Sequence, residues 1–175
     1  MNVPVAPLPE PASLATPGLW RRMSSWLYEG LLLFGVLFIP AYLFSTLSQS
    51  RHALTNRTAL QAFMFVVLGI YFVWFWHRGQ TLPMKTWRMR LVDASGHPPS
   101  QARAALRYLC AWLWVLPPLA ASALLGWQGG KVVVALSVWI ALWAMATRLH
   151  PSRQFWHDAL AGTRMVQLPP PAGKP

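Results

Sequence analysis

Arg22 and Glu29 stand seven positions apart at the start of the first apolar run of the chain, and Arg21 precedes them. Seven positions is two helical turns, so both side chains leave nearly one face, about 10 Å apart along the axis, and do not meet directly. Glu29 is one of four acidic residues among the 175 and the only charge in Trp26 to Leu47, WLYEGLLLFGVLFIPAYLFSTL, a stretch long enough to cross a bilayer. A carboxylate at that depth needs a partner from another helix, a water-filled cavity or a proton. Two roles are open to it. It is either a buried acid, paired with Arg107 or protonated, that fixes how helices pack, or a titratable site on a proton or cation path. Arg103 and Arg107 lie one turn apart at the start of a later apolar run, and Asp158 follows the last one. The candidate functional cluster is therefore Arg21, Arg22, Glu29, Arg107 and Asp158.

Other chemistry finds little in this chain. His157-Asp158 resembles a metal dyad only superficially, because adjacent helical residues diverge by about 100° and no HxxxH or HExxH motif accompanies them. His52, His77, His97 and His150 fall at loop or span edges, where solvated or interfacial roles are the default. Cys110 is the single cysteine, so neither an intramolecular disulfide nor a CxxC site can form. No phosphate-binding loop, GxSxG, dinucleotide-binding glycine motif or paired-carboxylate motif occurs. No metal, no cofactor and no enzymatic activity are expected.

The elements that must position the cluster are membrane helices. The composition is 55% hydrophobic and only 11% charged, and the apolar residues come in blocks rather than amphipathic stripes. The net charge of +11 lies beside those blocks with no separate soluble domain, so nucleic acid is not an expected partner and the lipid bilayer is. The expected fold is an all-α polytopic membrane protein with about four spans, at residues 26–47, 59–76, 106–127 and 131–147. Pro117-Pro118 should kink the third. If the spans alternate, twelve of the fifteen basic residues share one side, leaving Arg51, Arg57 and Lys131 on the other. That asymmetry puts both termini and the loop from His77 to Gln101 in the cytoplasm.

Residues 1–17 and 168–175 are proline-rich and are expected to be disordered tails flanking a membrane domain at 18–167; the first twenty residues lack the basic and apolar regions of a cleaved signal peptide. Within the inner loop, Arg88 to Asp93 reads as a short strand. GTRMVQL, after a helix expected at Pro151 to Ala161, has the same β-leaning composition, so the two are candidates to pair. Trp20, Trp74, Trp76, Trp127 and Trp156 fall near span ends, where indole favours the interface, and Trp112, Trp114, Trp139 and Trp143 lie deeper, as packing residues.

Three segments, in this order, resemble the RDD family of small prokaryotic membrane proteins, named for an arginine and two aspartates. GLWRRMSSWLYEG resembles the family's opening, with an arginine ahead of an acid in the first helix. GQTLPMKTWRMRLVDASGHPPS resembles its cytoplasmic loop, and RQFWHDALAGTRMV its closing HD-x-x-x-x-T motif. The resemblance places the family arginine on Arg22 and the second aspartate on Asp158. Glu29 stands at the first aspartate position, one methylene longer, and Pro83 stands where the family usually has glycine. It implies a multi-pass protein of the prokaryotic inner membrane, and it implies transport of small solutes or sodium-proton exchange. Four spans are few for a complete pathway, so a homo-oligomer is expected. The alternative is a non-transporting module that packs against or positions a protein partner.

Overall fold

The computed structural model describes residues 15–47, 57–149 and 154–169. His52, His150, Arg51, Arg153, Lys174 and most of both expected tails lie outside the described residues. The first apolar run forms α1 (Leu19–Leu47), which starts two turns earlier than the composition suggests and carries Arg21, Arg22 and Glu29 on one helix. The second forms α2 (Arg57–His77). The third run is broken. Ser100 caps α4 (Gln101–Ala111) by accepting the Arg103 amide, a single 3-10 turn follows at Trp112–Trp114, and α5 (Leu116–Leu124) leaves at an angle of 40°. Pro117 and Pro118 fall in the first turn of α5, where a missing N–H is harmless, so their rings end the preceding helix instead of breaking the next. The last run forms α6 (Gly130–Ala146), whose apolar stretch reaches Leu149 through another 3-10 turn.

Three of these helices are long and apolar enough to cross a membrane, or four if α4 and α5 together make one bent crossing. Their apolar surfaces face outward. Only 6% of the apolar stretch of α1 and none of that of α2 is buried within the chain, and Leu27, Leu31, Phe34 and Phe38 stand exposed along α1. In water such faces would have to be covered, whereas in a bilayer acyl chains cover them.

At one end of the helices sits a small lid of short elements. Helix α3 (Leu82–Thr86) leads into β1 (Met89–Asp93), and α7 (Trp156–Leu160) leads into β2 (Thr163–Gln167). The two strands pair antiparallel, Met89 opposite Gln167 and Asp93 opposite Thr163, as the composition of the two segments suggests. Met89, Leu91 and Met165 turn toward Trp76, Met84, Ala104 and Tyr108 to form the main core. Helices α2 and α4 approach closely because Gly69 leaves room for the Tyr108 ring, which a Cβ there would meet at 3.2 Å, and the Tyr108 hydroxyl donates to the Phe65 carbonyl at 2.7 Å. The expected tail boundary at residue 17 falls inside a held segment: the Ala15 carbonyl accepts from the Gln167 amide at 2.8 Å, and Pro17 is buried.

Candidate functional site

The cluster is assembled where the lid meets the inner faces of α1, α2 and α4. Helix α1 turns Arg22 and Glu29 inward, 5% and 7% exposed, and turns Arg21 out to the surface. Arg21 therefore lies apart from the other four residues. The two-turn spacing holds as expected, and Arg22 and Glu29 make no mutual ion pair.

Glu29 does not pair with Arg107 either. One carboxylate oxygen accepts the Tyr71 hydroxyl at 2.7 Å, and the other accepts the Thr81 hydroxyl at 2.5 Å. Thr81 is also the N-cap of α3, its Oγ1 accepting the Met84 amide at 3.4 Å, so one hydroxyl both caps a helix and holds the acid. The backbone reaches this position through Gly79, whose φ of +85° belongs to the left-handed region. The Gly79 carbonyl accepts the Leu91 amide at 2.7 Å, which ties the turn to β1.

Arg107 is committed elsewhere. Its Nε donates to Asp158 Oδ1 at 2.6 Å, with Asp158 wholly buried, and its guanidinium lies 3.9 Å from the centroid of the Trp76 ring. Trp76, in the last turn of α2, is buried beneath that cation.

His157 and Asp158, adjacent in sequence and expected to diverge, both turn inward. The five-residue helix α7 is anchored from α4 on one side and from the following 3-10 turn on the other. The Trp114 indole N–H donates to His157 Nδ1 at 2.8 Å, leaving His157 Nε2 3.4 Å from Asp158 Oδ1. Nδ1 accepts and is therefore unprotonated, which makes His157 neutral. Burial against Trp114 and Phe155 pushes its pKa down to about 4, more than the Asp158 charge can offset. Outside the cluster, in the turn after β1, the Ser95 hydroxyl and amide hold Asp93 below the usual carboxylate range, and Arg103 bridges to Asp93 at 3.4 Å instead of joining Arg107.

Arg22, Glu29, Arg107 and His157 line one cavity of about 430 Å³, whose remaining walls are mostly apolar. Asp158 stands behind it, bound to Arg107. The Arg22 guanidinium rests 4.3 Å from the Phe155 ring centroid, and its Nε and Nη1 are buried without a hydrogen-bond partner. Among the described residues no group of three or more His, Cys, Asp or Glu side chains converges as metal ligands would.

Sequence reasoning did not name Tyr71 or Thr81, and it gave Trp76 an interfacial role and Trp114 a packing role without placing either beside the cluster. Thr81 had a signal, the G-x-T of the inner loop. Tyr71, a single hydroxyl in an otherwise apolar α2 segment, had a weaker one.

No curated protein and no solved structure matches the chain. The model of the RDD family matches residues 16–162, from the segment before α1 to the turn after α7, and so takes in Arg22, Glu29, Thr81, Arg107 and Asp158. On that match over most of its length, this membrane-type protein with its long apolar helices belongs to the RDD family.

Proposed function

We propose that the protein is a small transport protein of the prokaryotic inner membrane in which Glu29 takes up and releases a proton or small cation. The observation that carries this reading is the bonding of Glu29. Both of its oxygens are held by hydroxyls, and it forms no ion pair among the described residues while lining a cavity. A purely structural intramembrane acid is expected to be closed by a cation. Hydroxyl partners fix its position yet leave its charge free to change, and Tyr71 and Thr81 can each accept as well as donate when a proton arrives. Arg107, locked to Asp158, then supplies a fixed positive field near the site. Both termini face the cytoplasm in this reading, in keeping with the twelve-to-three split of basic residues. A homo-oligomer encloses the pathway, and the protein carries out no enzymatic reaction.

The buried Arg107 and Asp158 pair supports a second reading, a non-transporting module whose charges fix packing and position a protein partner. A deletion strain scored across salt, pH and toxic-solute stress separates the two. Transport predicts a growth phenotype that wild type rescues and Glu29→Gln does not, with the variant accumulating normally. The module predicts loss of abundance or of a co-purifying partner, with no solute phenotype.

A further inference from the structure

Arg22 forms no ion pair among the described residues, and two of its nitrogens are buried without an acceptor. The acid whose charge it feels, Asp158, binds Arg107 through Oδ1 and leaves Oδ2 buried and unpartnered. Buried guanidinium N–H groups left without acceptors are costly. The Phe155 ring covers one face of it but accepts no conventional hydrogen bond. The Arg22 end of the cavity therefore presents free N–H donors suited to acceptor oxygens.

The rest of the cavity specifies what those oxygens should be attached to. Its walls are hydrocarbon and aromatic, including Trp26, Leu33, Leu68, Phe72 and Trp112, and Trp26, Leu27 and Gly30 at its edge are exposed on the apolar face of α1. A dry cavity of about 150 Å³ holds a benzene ring, so about 430 Å³ accommodates a chain of about ten carbons with its head. We infer that this cavity binds a single-chain amphipathic anion, its carboxylate or phosphate head on Arg22 and its hydrocarbon body among Trp26, Leu33, Leu68 and Phe72. A free amphiphile and a membrane lipid that inserts one chain present the same chemistry to Arg22.

The charges of the site make a distinguishing demand. Arg22 and Arg107 balance Glu29 and Asp158 when both acids are ionised, so a bound monoanion leaves one uncompensated negative charge. Neutralising Glu29 by substitution removes it. With about 10 Å between Glu29 and Arg22 along the helix and an effective dielectric constant of about 20, that change tightens anion binding about tenfold. The inference needs no transport by Glu29, only an occupied cavity.

The test uses the full chain in nanodiscs of zwitterionic phosphatidylcholine, titrated with ω-bromoundecanoate and with ω-bromoundecanol. Bromine quenching of tryptophan emission is the readout, since Trp26, Trp76, Trp112 and Trp114 line the cavity. The carboxylate is expected to quench saturably and to bind about tenfold more tightly than the alcohol. Arg22→Gln should reduce the carboxylate to the level of the alcohol while the alcohol still binds, which shows that the variant is folded. Glu29→Gln should tighten the carboxylate at alkaline pH, where the wild-type Glu29 is ionised. Should Arg22→Gln fail to fold, Ala111→Phe, which occludes the cavity and leaves every charge in place, should abolish saturable quenching by both probes.

Repeating the titration in phosphatidylglycerol nanodiscs separates the sources: loss of the saturable site assigns it to lipid, and retention assigns it to a free amphiphile. Non-saturable quenching, equal affinity for the two probes, or carboxylate binding unchanged in Arg22→Gln overturns the inference and leaves water as the occupant. A Glu29→Gln protein that loses flux but shows no carboxylate preference would contradict this site while leaving the transport reading intact.

Discussion

Thr81 does two jobs with one hydroxyl, and its removal should show both. Thr81→Val deletes the N-cap of α3 and one of the two donors to Glu29, and is expected to lower stability in detergent by about 1–3 kcal/mol. Tyr71→Phe removes only the other donor and should cost less, so a thermal melt ranking Thr81→Val below Tyr71→Phe supports the shared role. Asp158→Asn leaves Arg107 buried with half its partner and is expected to cost about 3–5 kcal/mol. The double replacement Arg107→Leu with Asp158→Leu should recover part of that loss.

His157 gives a pH signature with a definite sign. Its ordinary value of 6.5 falls to about 4 in the fold, so between those values the unfolded chain binds the extra proton. Stability is then complete above about pH 6.5 and is lost as the pH falls toward 4, by about 3 kcal/mol at most. Melts from pH 7.5 to 4.5 should show this slope, and His157→Asn should flatten it. A slope that survives in the variant would assign the acid sensitivity to another group.

At the scale of elements, the turn from α2 into α3 is the joint on which the site depends. Gly79 adopts a left-handed conformation, and a Cβ there would meet the Leu91 carbonyl at 3.3 Å. Gly79→Ala is therefore expected to destabilise by about 1–2 kcal/mol and to loosen the hold on Glu29, read as a lowered melting temperature together with faster amide exchange in β1. The helices were legible in the sequence because uninterrupted apolar runs admit little else, and Pro117-Pro118 marked the break between α4 and α5. The pairing of β1 with β2 was legible from β-leaning composition beside turn residues. The start of α1 was not, because Leu19 to Ser25 is mixed in polarity and the residues it turns inward, Arg22 and Ser25, are polar. The partners of Glu29 were hidden for a different reason. Tyr71 and Thr81 are 42 and 52 positions away, and no local period reports which helix faces turn toward each other.

At the scale of the molecule, the lid of α3, β1, β2 and α7 closes one end of a set of apolar helices, and the charges gather beneath it. The basic residues of that end make it the cytoplasmic side in our reading. Reporter fusions at residues 92 and 170 should report inside, and one at 129 outside; an outward signal at 92 would invert the topology and move Glu29 to the opposite half of the membrane. The proposal that Glu29 is the exchanging site is most directly tested in proteoliposomes. Wild type should carry a cation or proton flux down an imposed gradient, Glu29→Gln should abolish it at equal reconstitution, and Glu29→Asp, which keeps an acid one methylene shorter, should retain part of it. Undiminished flux through Glu29→Gln would remove Glu29 from the mechanism.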